Sequence, residues 1–472
     1  VKTGIHAEVS GMKHRLAVLA LVVLASISVY AQQVVRTGPS PEMRAMFDNF
    51  AKALNSGSAE AWDAFVQAYF SPELQQKIPA AQRAQMYKQL VADFGTIAIN
   101  GVRREGPDAP LQMQVKGSNG SGTFILGVSG ETPRILSFGV EAGDRGGRGA
   151  APAAPIAGVP LPALNGSIAS DEIERRLVAY FSTLAQQDVF SGVALVARDG
   201  VPVFMKAHGM ADREKQIANT IRTRFNVGSI NKEFTQTAIR QLVREGKLSP
   251  DDTLGKFLPD YPQAVSRNAT VQQLLSHRGG LSDFFGPQFS AAPKTQFASN
   301  ADYFRFVGSL PANFAPGERN QYCNGCYIAL GAIVEKVSGM PYEKYMAANV
   351  YGRAEMTSTG FPRTDRHEAD MTIGYTRREG DATLRPNTAM HGVTGSAAGG
   401  NYSTALDLLT YVKAVRAGTF PGNDAGIGIA GGAPGTNAVL EARGAWTVIV
   451  LSNFDPPVAE RVGVAIADAL DR

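Results

Sequence analysis

The chain has 472 residues, 44% hydrophobic and 19% charged, a globular composition with enough apolar material for large cores and more than one domain. The formal net charge is +4, and Lys2, Lys13 and Arg15 against Glu8 place +2 of it in the first 31 residues. The remainder is close to balanced, with no basic stripe of the kind nucleic-acid binding requires.

In chain order, the first element is a leader. Met12-Lys13-His14-Arg15 precedes an apolar run from Leu16 to Val29, and Val29-Tyr30-Ala31 stands before Gln32. This n-, h- and cleavage-region pattern predicts a signal peptide over 1–31, with translation starting at Met12 unless Val1 is the initiator, and an exported protein, periplasmic or secreted. About fourteen apolar residues are too few to span a bilayer comfortably, and no other segment reads as transmembrane, so no membrane span is expected in the mature protein.

Residues 41–141 follow as a small α+β domain. Met43, Met46, Phe47, Phe50 and Leu54 form one helical stripe, Trp62, Phe65, Val66, Tyr69 and Phe70 another, and a third helix is predicted from Ala80 to Phe94. Alternation then takes over at Ile97/Ile99, Leu111/Met113/Val115, Phe124/Leu126/Val128 and Phe138/Val140. Helices first and strands afterwards resembles the nuclear-transport-factor-type, SnoaL-like cone domains. That resemblance implies a pocket or a dimerisation module. Gly, Ala and Pro dominate 142–166, a flexible and partly extended linker, and 167–472 form the second domain.

The second domain begins with two β-rich runs, 191–198 and 201–206, separated by the hairpin dipeptide Asp199-Gly200. Next comes Asn226-Val227-Gly228-Ser229-Ile230-Asn231-Lys232, an S-x-x-K motif at a predicted helix start. Residues three apart share a helix face, so the Lys232 amine can reach the Ser229 hydroxyl and take its proton for attack on a carbonyl. Ile230, Phe234, Ala238 and Leu242 form the buried stripe of this helix, which is predicted to end near Gly246. Ser10-Gly11-Met12-Lys13 matches the same pattern inside the leader, so spacing alone does not decide. Farther on, Tyr322 and Asn324 form a Y-x-N element before another helical pattern from Ile328 to Val337.

From about Ile168 onward these segments resemble the penicillin-recognising serine hydrolases, in the branch related to class C β-lactamases, esterases and D-aminopeptidases. Leu274-Leu275-Ser276-His277-Arg278-Gly279-Gly280-Leu281, Phe314-Ala315-Pro316-Gly317-Glu318, Val337-Ser338-Gly339-Met340-Pro341-Tyr342 and Ala398-Gly399-Gly400-Asn401-Tyr402-Ser403-Thr404 carry the resemblance beyond the two motifs. It implies an α/β fold of the α+β type, with an antiparallel sheet flanked by helices, a helical lobe from the middle of the chain, and the active site between them. It also implies Ser229 as nucleophile, Lys232 as its base, Tyr322 as proton shuttle and Asn324 as the group that orients Lys232 and contacts the acyl side chain. His277 is expected to order a loop.

The third motif of the resemblance, Lys-Thr-Gly or His-x-Gly, is altered. Its best match is Ile429-Ala430-Gly431-Gly432-Ala433-Pro434-Gly435-Thr436-Asn437, with Ile429 at the cationic position. The N–H groups of Ser229 and Gly432 remain as the implied oxyanion hole, while the cation that holds a substrate carboxylate is lost. Cys323 and Cys326 form a C-x-x-C, either a disulfide at a helix start or two small buried thiols. His208, His367 and His391 have no ligand spacing, so neither a metal nor another cofactor is expected. The implied activity is an exported serine hydrolase acting on a small ester or amide. The alternatives are a catalytically weak binder or sensor of cell-wall fragments and a β-lactamase or DD-peptidase-type hydrolase.

Overall fold

The computed structural model describes residues 40–103, 111–118, 121–129, 132–142, 156, 158–366, 368–377, 383–421 and 426–471. The leader, residues 143–155 and 157 of the linker and His367 lie outside the described residues. The chain divides into two compact units, Val1–Gly147 and Arg148–Arg472. No helix of the described residues is long and apolar enough to cross a membrane.

The first unit opens with α1 (Pro41–Asn55), α2 (Ala59–Tyr69), α3 (Pro72–Lys77) and α4 (Ala80–Phe94). Ser40, Ser58 and Ser71 cap the first three, each hydroxyl accepting a first-turn N–H. The six-residue α3 was not separated from the neighbouring stripe in the sequence pattern, being too short to show a period. Four strands follow as an antiparallel meander, β1 (Ile97–Arg103), β2 (Leu111–Gly117), β3 (Ser121–Ser129) and β4 (Arg134–Ala142). The core is aromatic: the Phe50 ring stands edge-on to Trp62, Phe65 and Phe124, and all four are buried. Truncating one such ring to alanine costs about 3–5 kcal/mol.

In the second unit, α5 (Ser170–Gln186) leads into the hairpin β5 (Gly192–Arg198) and β6 (Val201–His208). Asp199 and Gly200 both have positive φ, 50° and 76°, the conformation a two-residue hairpin turn demands. The chain then leaves the sheet for a helical lobe that includes α6 (Asn231–Arg244), α7 (Asn300–Ser309) and α8 (Asn324–Ser338). After α9 (Ala405–Arg416) it returns as β7 (Ile427–Ala433), β8 (Thr436–Arg443) and β9 (Trp446–Ser452), closing with α10 (Val458–Leu470). The five strands form one antiparallel sheet in the order β7-β8-β9-β5-β6.

Both faces of this sheet are covered, so β5 and β9 carry the unbroken apolar runs Val193–Ala197 and Val448–Leu451. Alternate residues serve different cores. Ala194, Val196, Val448 and Val450 pack with α5 and α10, while Val193, Leu195, Ile449 and Leu451 pack towards the lobe with Phe234, Ala238 and Leu242 of α6. The site lies where β7, at the sheet edge, meets the start of α6. The fold is the mixed α/β architecture expected from the resemblance.

Candidate active site

The approach to Ser229 is built from backbone. Phe225 and Asn226 pair with Ser403 and Tyr402, the Val227 N–H donates to the Asn401 carbonyl, and a 3-10 turn, Gly228–Ile230, then runs into α6. Gly228 has φ +52°, and a Cβ there would lie 3.1 Å from the Gly432 nitrogen. A Cβ on Gly431 would come within 2.1 Å of the Val227 carbonyl oxygen and 2.8 Å of the Ser229 nitrogen. The two glycines therefore let the edge strand lie directly against the Ser229 turn.

That contact fixes the register of the third motif. Ala433 and Thr436 flank the two-residue turn of the β7-β8 hairpin, so Gly432, one residue back, falls at the position whose N–H points off the sheet edge. It points towards the Ser229 turn and lines the cleft there. Ile429 shares the strand face of Gly431 and packs onto the main core.

Lys232 is 2% exposed. Its Nζ lies 2.7 Å from Asn324 Oδ1, 2.6 Å from the Ala398 carbonyl oxygen and 3.0 Å from Ser229 Oγ. The two carbonyl oxygens only accept, so they use two N–H bonds. The third tetrahedral position, aimed at Ser229, holds a proton in the ammonium form and a lone pair in the amine. Burial pushes the pKa of Lys232 down to about 7, against an opposing pull from Asp283. At neutral pH a large fraction is thus the amine, with its lone pair facing the Ser229 hydroxyl.

Tyr322 is 53% exposed as a residue, yet its hydroxyl lies 2.5 Å from Ser229 Oγ. Burial around that hydroxyl raises its pKa to about 12, with Ser229 lowering and Asp283 raising it further. The ring stacks on His277, centroids 4.9 Å apart, and Lys232 Nζ stands 4.8 Å from its centroid. His277 has φ +59°, and its Nδ1 accepts the Cys323 N–H at 3.1 Å, which leaves the ring proton on Nε2. Burial and then Lys232 hold its pKa down, at about 4, so it is neutral and acts as a platform for Tyr322.

Asn324 opens α8. Its Oδ1 takes the Lys232 proton donor and its Nδ2 donates to Asp283 Oδ2 at 2.8 Å, so partners on both sides fix the amide orientation. Cys323 and Cys326 are joined by a disulfide, which settles the alternative the sequence leaves open, and Cys323 caps the helix whose first residue is Asn324. The bridge closes the first turn of α8 around Asn324 and starts at Cys323, the middle residue of the Y-x-N element.

Ser229, Lys232, Tyr322, Asn324 and Gly432 thus converge. Sequence reasoning missed Asp283, one acid in an unremarkable loop, and the Ala398 carbonyl. The latter is held in place because Asn231 Nδ2 and Thr235 Oγ1, both on α6, donate to the carbonyls of Ser396 and Ala397.

Residues 170–427, more than half of the chain, match the family description Beta-lactamase. The chain belongs to the beta-lactamase family. Among curated relatives, the putative penicillin-binding protein PbpX of Bacillus subtilis is 31% identical over 230 residues, 48% of this chain and 55% of that protein. The chain spans about half the length of that relative. The crystal structure of a penicillin-binding protein from Bacillus halodurans superposes with TM-score 0.56 and 29% identity, over 61% of this chain and 98% of that one. A class C beta-lactamase, 18% identical over 65–66% of the chain with TM-score 0.51, shares the fold. Members of the family are serine hydrolases.

Proposed function

We propose that the protein is an exported serine hydrolase that forms an acyl-enzyme on Ser229 and acts on neutral esters or small amides. The observation that carries this reading is the Lys232 amine, buried, with both hydrogens committed to carbonyls and its lone pair facing Ser229. Lys232 takes the Ser229 proton as Oγ attacks the carbonyl carbon, and the N–H groups of Ser229 and Gly432 receive the oxyanion. Tyr322, protonated at neutral pH, gives its proton to the departing alkoxide. The resting products are acyl-Ser229, ammonium Lys232 and phenolate Tyr322, the cation beside the aryl ring offsetting the anion. Water then gives a proton to the phenolate and attacks the ester, and Lys232 returns its proton to Ser229 Oγ. Asn324 and the Ala398 carbonyl hold the amine in line throughout, and His277 holds the phenol. The leader-like residues 12–31 support export.

Incubation with a fluorophosphonate probe tests the reading: labelling on the Ser229 peptide, lost in Ser229→Ala, is expected, and equal labelling of both overturns it. A second reading, a β-lactam or D-peptide hydrolase, draws on the names of the relatives. Against it stands Ile429, which offers no charge to a substrate carboxylate, and turnover of a chromogenic cephalosporin in preference to esters would establish it.

A further inference from the structure

The cleft in front of Ser229 encloses about 590 Å³, open solvent at its mouth included. Its lining contains Ser229, Asn324 and Gly432 but not Tyr322, the residue assigned to the leaving group, so it is the space available to the acyl half of a substrate. One wall is aromatic. Phe284 stands 4.1 Å from Phe285, 5.1 Å from Phe289 and 5.1 Å from Tyr303, centroid to centroid. Phe284, Phe289 and Tyr303 are buried, whereas Phe285 is 48% exposed at the cleft. Elsewhere the lining is backbone at Gly395, Gly399 and Gly400, and Gly399 lies so near the Ser229 turn that a Cβ would stand 3.0 Å from the Gly228 carbonyl oxygen. No Asp, Glu, Lys or Arg is among the lining residues. Two titratable rings line it: His391 bonds to Asn387 and burial holds its pKa below the ordinary imidazole value, while burial pushes the Tyr303 phenol up.

We propose that this cleft is an acyl pocket for a flat, uncharged aromatic group, such as arylacetyl, lying against the Phe284/Phe285/Phe289 wall. The proposal rests on Ser229 being the nucleophile. A half-exposed phenylalanine on an otherwise buried aromatic stack gains burial and ring contact when a planar group covers it, and the glycines leave room for that plane. A carboxylate or ammonium on the acyl group would enter a site with no countercharge in its walls and is disfavoured for that reason.

The test uses the intact protein and two isomeric esters, methyl phenylacetate and benzyl acetate, which carry the same ring on the acyl or the alcohol side. Methyl acetate and a methyl half-ester of glutaric acid complete the set. With hydrolysis followed by pH-stat and rates normalised to hydroxide-catalysed cleavage, kcat/KM should favour methyl phenylacetate by roughly tenfold over both methyl acetate and benzyl acetate, the half-ester being poorest. Phe285→Ala, at a half-exposed position, should bring the phenylacetate-to-acetate ratio towards unity. Phe285→Arg should raise the half-ester relative to phenylacetate. Fluorophosphonate labelling of Ser229 together with equal rates for the isomers, or a preference for benzyl acetate, overturns the acyl pocket and leaves the hydrolase reading intact. Absence of Ser229 labelling overturns both.

Discussion

On its lobe side the cleft presents side chains, and on its sheet side it presents main chain. Lys232, Tyr322 and Asn324 reach Ser229 through hydrogen bonds whose partners are themselves pinned, by Ala398, His277 and Asp283. From β7 come the glycine backbone at 431 and 432, Ala433 and the packed Ile429, none of them charged. The two sides carry different parts of the function. Proton transfer needs specific side chains, whereas an oxyanion asks only for an N–H at the right place, and substrate charge is recognised by whatever side chain the strand adds. A strand can therefore lose its cation and keep its part in catalysis.

The largest effect should come from the lobe side. Lys232→Arg keeps a charge but has no readily removable proton, and kcat for acylation should fall by at least the roughly 10²–10⁴-fold contributed by general-base catalysis. Burst kinetics like those of the wild type would break the assignment. On the sheet side, Gly431→Ala drives a methyl group into the Val227 carbonyl and displaces the strand from Ser229. A loss of about 10²–10³ in kcat is expected, the worth of one oxyanion donor. Substrate affinity that falls while kcat holds would place the oxyanion donor elsewhere.

Ile429→Lys restores charge without touching the proton network. It should improve carboxylate-bearing substrates over neutral esters by roughly ten- to a hundredfold, since one countercharge is worth on the order of 1–3 kcal/mol. Equal effects on both would show that the strand does not set charge preference. A smaller effect concerns pH. As Lys232 loses its proton with a pKa of about 7, kcat/KM should rise with pH through that region. Asp283 favours the ammonium, so Asp283→Asn should move the rising limb to lower pH, and an upward move would contradict the electrostatics. Smallest is reduction of the Cys323–Cys326 bridge. The loop it closes is short, so loop entropy gives at most about 2 kcal/mol, a shift of a few degrees in Tm by calorimetry.

Legibility in the sequence follows the same division. The β5-β6 hairpin with its Asp199-Gly200 turn, α4 and α6 are readable because each depends on local chemistry or a repeating apolar period, whereas the whole sheet is reached only through the family resemblance. Ser229 and Lys232 stand one helical turn apart, so their proximity is local. Tyr322 and Asn324 come from 93 and 92 residues away and were reached through a motif. Ala398 acts through its carbonyl, which every residue has, and Asp283 through a contact made only once the lobe packs. The Phe284–Phe289 wall carries no sequence signal for the same reason, since only the fold shows that Phe285 is left uncovered.

The strand pairing β9-β5 has a bearing on synthesis. Ser452 Oγ donates to the Ser191 carbonyl across 261 residues of chain, and β9 sits between β5 and β8 in the middle of the sheet. Strands made early therefore have no inner neighbour until nearly the whole unit has been translated, and contacts between such distant segments form slowly. Under the export proposed above, that delay would keep the nascent unit open while it is carried across a membrane.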